Sequence, residues 1–136
     1  MAEAFLARCG LAPRLRYSIR FVPEVKNELG NCIFGQFRPS EQLAIVLGHG
    51  ALMTLVKAIP RDDPSSVYRR LPAAELHYSL IVHEVGHAIV HQNLSLPPCR
   101  PVHEYVAGLL QVSSMSDASR RIFLESFCCD PFLSSG

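Results

Sequence analysis

The stretch SLIVHEVGHAIVHQN, residues 79–93, sets three histidines and a glutamate into an otherwise apolar run. On a helix His83 and His87 stand four residues apart, one turn above each other, and point to the same side, so their imidazoles can converge on one ion. Zinc takes neutral imidazole nitrogen at about 2.0–2.1 Å, and a catalytic zinc keeps three protein ligands with water in the fourth position. Glu84 lies about 100° further round the helix. That is a poor place for a ligand between the two histidines and a good one for a general base on a metal-bound water. The H-E-x-x-H spacing thus meets the needs of helix geometry and of hydrolysis together.

The elements that position these residues follow from the same stretch. Leu80, Ile81, Val82, Val85, Ala88, Ile89 and Val90 spread around the whole circumference of a helix, which predicts a buried segment. An ionisable group without a partner there costs roughly several kcal/mol. Partners must therefore come from elsewhere: a metal ion, or, in the competing structural reading, other core groups. Gly86 costs roughly 1 kcal/mol against alanine in mid-helix, and its use is to admit a close neighbour.

A third ligand is needed. His91 stands about 12 Å along the axis from His83, too far to share one ion, and reads as a helix-end histidine. The metzincin pattern needs Gly at position 90 and His at 93, where the chain has Val90 and Asn93. NLSLPPCRP breaks the motif helix, and an amphipathic helix then starts near Pro101 and runs through VHEYVAGLLQVSS, offering His103 and Glu104. These two differ by about 100° around the axis, so only one can point at the ion. Glu104 shares its face with Ala107, Gly108 and Gln111, which favours close packing on the motif helix, whereas Val102, Val106 and Leu109 are expected to face the core. The ordinary reading of Glu104 is a first-turn carboxylate favoured by the helix dipole. Tyr78, Tyr105, His77 and His103 are candidates to stabilise an oxyanion, each with a packing or surface role as its alternative.

HEVGH followed by Glu104 on a separate helix looks like the gluzincin branch of the zincin-like metallopeptidases, and the chain is similar in size to its minimal members, the minigluzincins. FLARCGL, CIFGQF, LIVHEVGHAIVHQ and EYVAGLLQVSSM also resemble a bacterial family of uncharacterised proteins with an HExxH helix and an E-Y-x-A helix, over about residues 5–125. The resemblance implies an α+β, zincin-like fold: a small twisted sheet of about three to four strands packed on the motif helix and the glutamate helix. It implies Zn2+ on His83, His87 and Glu104, with Glu84 as catalytic base and a peptide or protein as substrate. It further implies a sheet edge along the cleft, for which Leu43–Leu47 is the candidate. Many gluzincins carry an acidic residue four positions after the ligand glutamate to orient a zinc-bound histidine. Here that position is Gly108, and the orienting partner is unassigned.

The rest of the chain fits one such domain. At 136 residues, 49% apolar and 18% charged, it has room for one core. A net charge of +1 and no Lys/Arg stripe argue against nucleic acid, and no apolar run approaches a membrane span of about 20 residues. A soluble protein is expected, either cytoplasmic or beginning after a removed signal. Five cysteines without CxxC spacing specify no zinc knuckle; a Cys9–Cys32 bridge stays open. A short helix is expected over residues 5–9. Alternation predicts a half-buried strand from Leu15, with Leu15, Tyr17, Ile19 and Phe21 on one face, ended by Pro23. CIFGQF and LAIVL read as a hairpin, ALMTLVKAI as a short helix, and IPRDDPSSVYRRLP as a long loop. Pro72 suits the first turn of a helix of about five turns running through His91, and DASRRIFLESF closes the pattern as a last helix. The leading functional expectation is a zinc-dependent peptide-bond hydrolase. The alternative is a metal-binding, non-hydrolytic module of the same fold that captures an extended peptide on a sheet edge.

Overall fold

The structure, a computed structural model, describes Arg8 and residues 16–93 and 99–128. The helix expected over residues 5–9, apart from Arg8, and the start of the first strand at Leu15 lie outside these. The chain is α+β. Strands β1 (Ser18–Val22), β2 (Gly35–Arg38) and β3 (Leu43–Leu47) precede helix α1 (His49–Ala58), a 3-10 segment (Pro64–Arg70), and helices α2 (Ala73–Asn93), α3 (Arg100–Ser113) and α4 (Asp117–Cys128).

The sheet order is β1-β3-β2, with β1 parallel and β2 antiparallel to the central strand. The β2–β3 hairpin is as the sequence predicts. The candidate cleft edge is not: β3 is paired on both sides and all five of its residues are buried, and of the two outer strands it is β2 that lines the cleft. A continuous apolar run such as LAIVL marks a strand covered on both faces, which is why it sits in the middle. β1 also departs from expectation. Its alternation is real, yet Ile19 is 40% and Phe21 53% exposed. Alternation states which side chains share a face, and says nothing about whether a layer covers that face.

Leu43, Ile45 and Leu47 join Leu52, Val56, Ile59, Leu71, Leu76 and Leu80 in the main core. The stretch expected as a loop after α1 is partly helical. Asp63 starts the 3-10 segment by accepting from the Ser65 amide at 2.9 Å, Val67 is buried, and Tyr68 packs on Phe34 and Phe123. Pro72 stands just before α2, its carbonyl accepting from the Leu76 amide, and α2 runs two residues past His91 to Asn93. Glu75 ties the start of α2 to the last helix: its carboxylate accepts from the Ser116 amide and, at 2.8 Å, from the Ser119 hydroxyl.

A second cluster, Val82, Val85, Ile89 and Leu110, binds α3 to α2. Gly86 is the point of approach. A Cβ there would stand 2.6 Å from Leu110 Cδ1 and 3.4 Å from Ala107 Cα. The predicted small face of α3 is thus partly realised: Ala107 and Gln111 are buried against α2, whereas a Cβ at Gly108 would meet nothing within 4 Å. Val102 and Leu109, expected in the core, are 45% and 44% exposed; only Val106 of that trio packs on the cluster, and Leu110 fills it. The register of the face was displaced by one residue at its apolar side, because Leu110 seats in the space that Gly86 leaves. Two thiols, Cys32 and Cys99, are free and exposed, and no described helix is long and apolar enough to cross a membrane.

Gly86→Ala should lower stability by about 1–2 kcal/mol, because overpacking outweighs the helix-propensity gain. In a Leu110→Ala background, itself costing about 2–5 kcal/mol, the same change should become neutral or stabilising. Urea unfolding of the four proteins in this cycle reads the sign change.

Candidate metal centre

A cleft of about 840 Å³ opens between β2 and the helix pair, lined among others by Gly35, Gln36, Phe37, His83, Glu84, His87, His103 and Glu104. α2 brings His83 and His87 to its floor with ring centroids 5.0 Å apart. α3 brings Glu104 from the other side. Its Oε2 lies 3.4 Å from His83 Nε2 and its Oε1 3.3 Å from His87 Nε2. Both separations exceed the roughly 2.7–2.9 Å of a charge-assisted N–H···O bond. They agree with the about 3.3–3.4 Å that a tetrahedral ion with bonds of about 2.0–2.1 Å sets between two of its ligands. The donor set, two imidazole nitrogens and a carboxylate, is one that first-row divalent metals such as zinc, copper, iron or nickel accept.

Glu84 is the most buried charged group of the cleft, at 8% exposure, and one ligand atom each from His83, Glu84 and His87 lie within 4.8 Å of one another. Burial, reinforced by the nearby Glu104 charge, pushes its carboxyl up to about 8. Space for it is made by β2. A Cβ at Gly35 would stand 2.9 Å from both Cγ and Oε1 of Glu84 and 3.0 Å from the Ile45 carbonyl oxygen, so this strand position must stay bare. Burial also holds His83 and His87 below the ordinary imidazole range; Glu104 opposes this for both, and His83 depresses His87 further. Both rings are therefore neutral, the form that ligates metal, at neutral pH.

Each ring has a partner on its far nitrogen. His83 Nδ1 faces Gln111 Oε1 at 3.0 Å, and the Gln111 amide nitrogen donates to Tyr68 Oη at 3.3 Å and Ser79 Oγ at 3.4 Å. An amide oxygen only accepts, so His83 carries its proton on Nδ1 and leaves Nε2 as a lone pair toward Glu104. His87 Nδ1 faces His103 Nδ1 at 3.4 Å. The offset of about 100° from Glu104 predicts that His103 turns to the flank or solvent once Glu104 faces the motif helix. It lines the cleft instead, its Nδ1 facing that of His87. Burial, and then His91, lowers its titration range as well.

Gln111, Tyr68 and Gly35 were missed as site residues. Gln111 had a signal, since it shares the face of Glu104 two turns on. Tyr68 and Gly35 had none, because they reach the cleft through the 3-10 segment and the strand pairing. Of the other candidates, His91 lies in the last turn of α2 and its ring meets Phe37 at 6.0 Å. His77 Nε2 donates to the Leu47 carbonyl at 2.8 Å, and Tyr78 and Tyr105 are 45% and 68% exposed.

The raised carboxyl of Glu84 makes a pH prediction. A folded-state value above the unfolded one favours folding below the unfolded value and loses that contribution as pH rises to the folded one. In chelator-treated protein, the stability of the native sequence relative to Glu84→Gln should fall as pH rises from about 4.5 to about 8. The expected size is a few kcal/mol, since each pKa unit is worth about 1.4 kcal/mol. Paired urea titrations measure it; a pH-independent difference would contradict the burial account.

No curated protein and no solved structure matches the chain. Over residues 1–136 it matches the family described as DUF6639, a family of unknown function, and it belongs to that family.

Proposed function

We propose that the protein is a zinc-dependent peptide-bond hydrolase with a zincin-like fold of the gluzincin type, in which His83, His87 and Glu104 hold the metal and Glu84 is the catalytic base. The observation that carries this reading is the placement of the Glu104 oxygens 3.4 and 3.3 Å from the two Nε2 atoms, beside a buried carboxylate. Zinc bound there supplies Lewis acidity toward a carbonyl and lowers the pKa of its water to about 7.

The chain supplies the rest. Glu84 is confined between α2 and the bare backbone at Gly35, so its oxygens stay on the cleft side and can take a proton from water and return it to a leaving amine. The free edge of β2 runs along the cleft through Gly35, Gln36 and Phe37. Among the described residues no strand pairs with that edge, so an extended peptide can add to it as a strand, which fixes the scissile bond relative to Glu84. Gln111 keeps His83 in the tautomer that ligates.

Glu84→Gln should retain zinc and lose peptide hydrolysis by about 10²–10⁴-fold, since the amide keeps the shape and cannot accept a proton. A quenched-fluorescence peptide library and metal analysis on the same sample test both halves. Zinc retained with no turnover in either protein would favour the non-hydrolytic binding module. Glu104→Ala should weaken zinc binding in chelator competition by more than the about 10–100-fold typical of losing an outer partner. Unchanged affinity would remove Glu104 from the ligand set.

A further inference from the structure

We propose that His103 is the positioning residue of His87: its Nδ1 accepts a hydrogen bond from His87 Nδ1–H and thereby presents the Nε2 lone pair of His87 to the point faced by Glu104. A neutral imidazole has one N–H and one lone pair, and which nitrogen carries the proton is set by the partner of the other. The two Nδ1 atoms are 3.4 Å apart, the rings lie 5.5 Å apart and tilted by 35°, and among the described residues neither nitrogen has a further hydrogen-bond partner. Two lone pairs facing each other would repel, so one proton lies in the gap.

Either ring can supply that proton, and we assign it to His87. The His87 side chain is 13% exposed and that of Glu104 is 50% exposed. Placing the proton on His87 Nδ1 leaves Nε2 as a lone pair, and water can take the place of an Nε2–H at the half-exposed carboxylate of Glu104. The other ring follows the same rule, with its Nδ1 proton held by Gln111 at 3.0 Å. α3 then contributes three functional side chains: a partner for His87, the carboxylate, and a partner for His83, at positions 103, 104 and 111. This answers the glycine at 108, where a carboxylate partner is missing. The neutral groups at 103 and 111 take the orienting role from different turns of the helix. The consequence for zinc rests on the metal assignment above; the tautomer does not.

Three proteins test it: the native sequence, His103→Ala, and His103→Asn, in which the amide oxygen can stand where the imidazole Nδ1 stood. In metal-free protein at pH 8, nitrogen-15 NMR should find His87 as the Nδ1–H tautomer in the native and Asn proteins, and shifted to Nε2–H in the Ala variant. Zinc affinity, read by chelator competition, should fall about 10–100-fold in the Ala variant and recover in the Asn variant. Melting of the metal-free proteins checks that all three are folded. His87 found as Nε2–H in the native protein, or zinc affinity unchanged by His103→Ala, overturns the proposal. The expected tautomers in a native protein that binds no zinc would uphold the His87–His103 pair and overturn the hydrolase reading instead.

Discussion

The contact of α2 with α3 at Gly86 and Ala107 determines where the groups of α3 stand relative to His83 and His87. With no Cβ at position 86, the Ala107 backbone and the Leu110 side chain come in against α2, and the first turns of α3 are carried over His83 and His87. A side chain at 86 would hold α3 away and separate Glu104 from both imidazoles. The same closeness buries Gln111, so that its amide must find partners on α2 and the 3-10 segment, and it does so at His83, Ser79 and Tyr68.

Burial then governs the charges. Removing water from around His83 and His87 disfavours their protonated forms, and removing it from Glu84 disfavours the carboxylate. Burial thus favours the neutral forms of both imidazoles and of the Glu84 carboxyl, beside the half-exposed carboxylate of Glu104. A divalent cation among them would oppose the penalty on Glu84, because a nearby positive charge stabilises a carboxylate. On the proposed reading the cost of burying Glu84 is offset by the ligand for which it is buried.

The helical part of the site was legible in the sequence because helix geometry is local. Four-residue spacing places His83 over His87 whatever the rest of the chain does, and Gly86 in an apolar helix announces a close neighbour. Glu104 was reachable because its helix follows after a short break. What depends on pairing at long range was not legible. The order β1-β3-β2 moves the cleft edge from Leu43–Leu47 to β2, and the place of Gly35 against Glu84 exists only once that register is set. The exposure of Ile19 and Phe21 depends on what lies over the sheet, and the inward turn of His103 depends on which nitrogen of His87 is left facing it.

X-ray absorption at the zinc edge, on protein purified without added metal, tests the central claim most directly. The account predicts about one zinc per chain, with nitrogen and oxygen donors at about 2.0–2.2 Å and scattering from two imidazole rings. Protein that carries no zinc and binds none when it is supplied would contradict it. So would a sulfur shell at about 2.3 Å, which would move the metal away from His83, His87 and Glu104 to the cysteines.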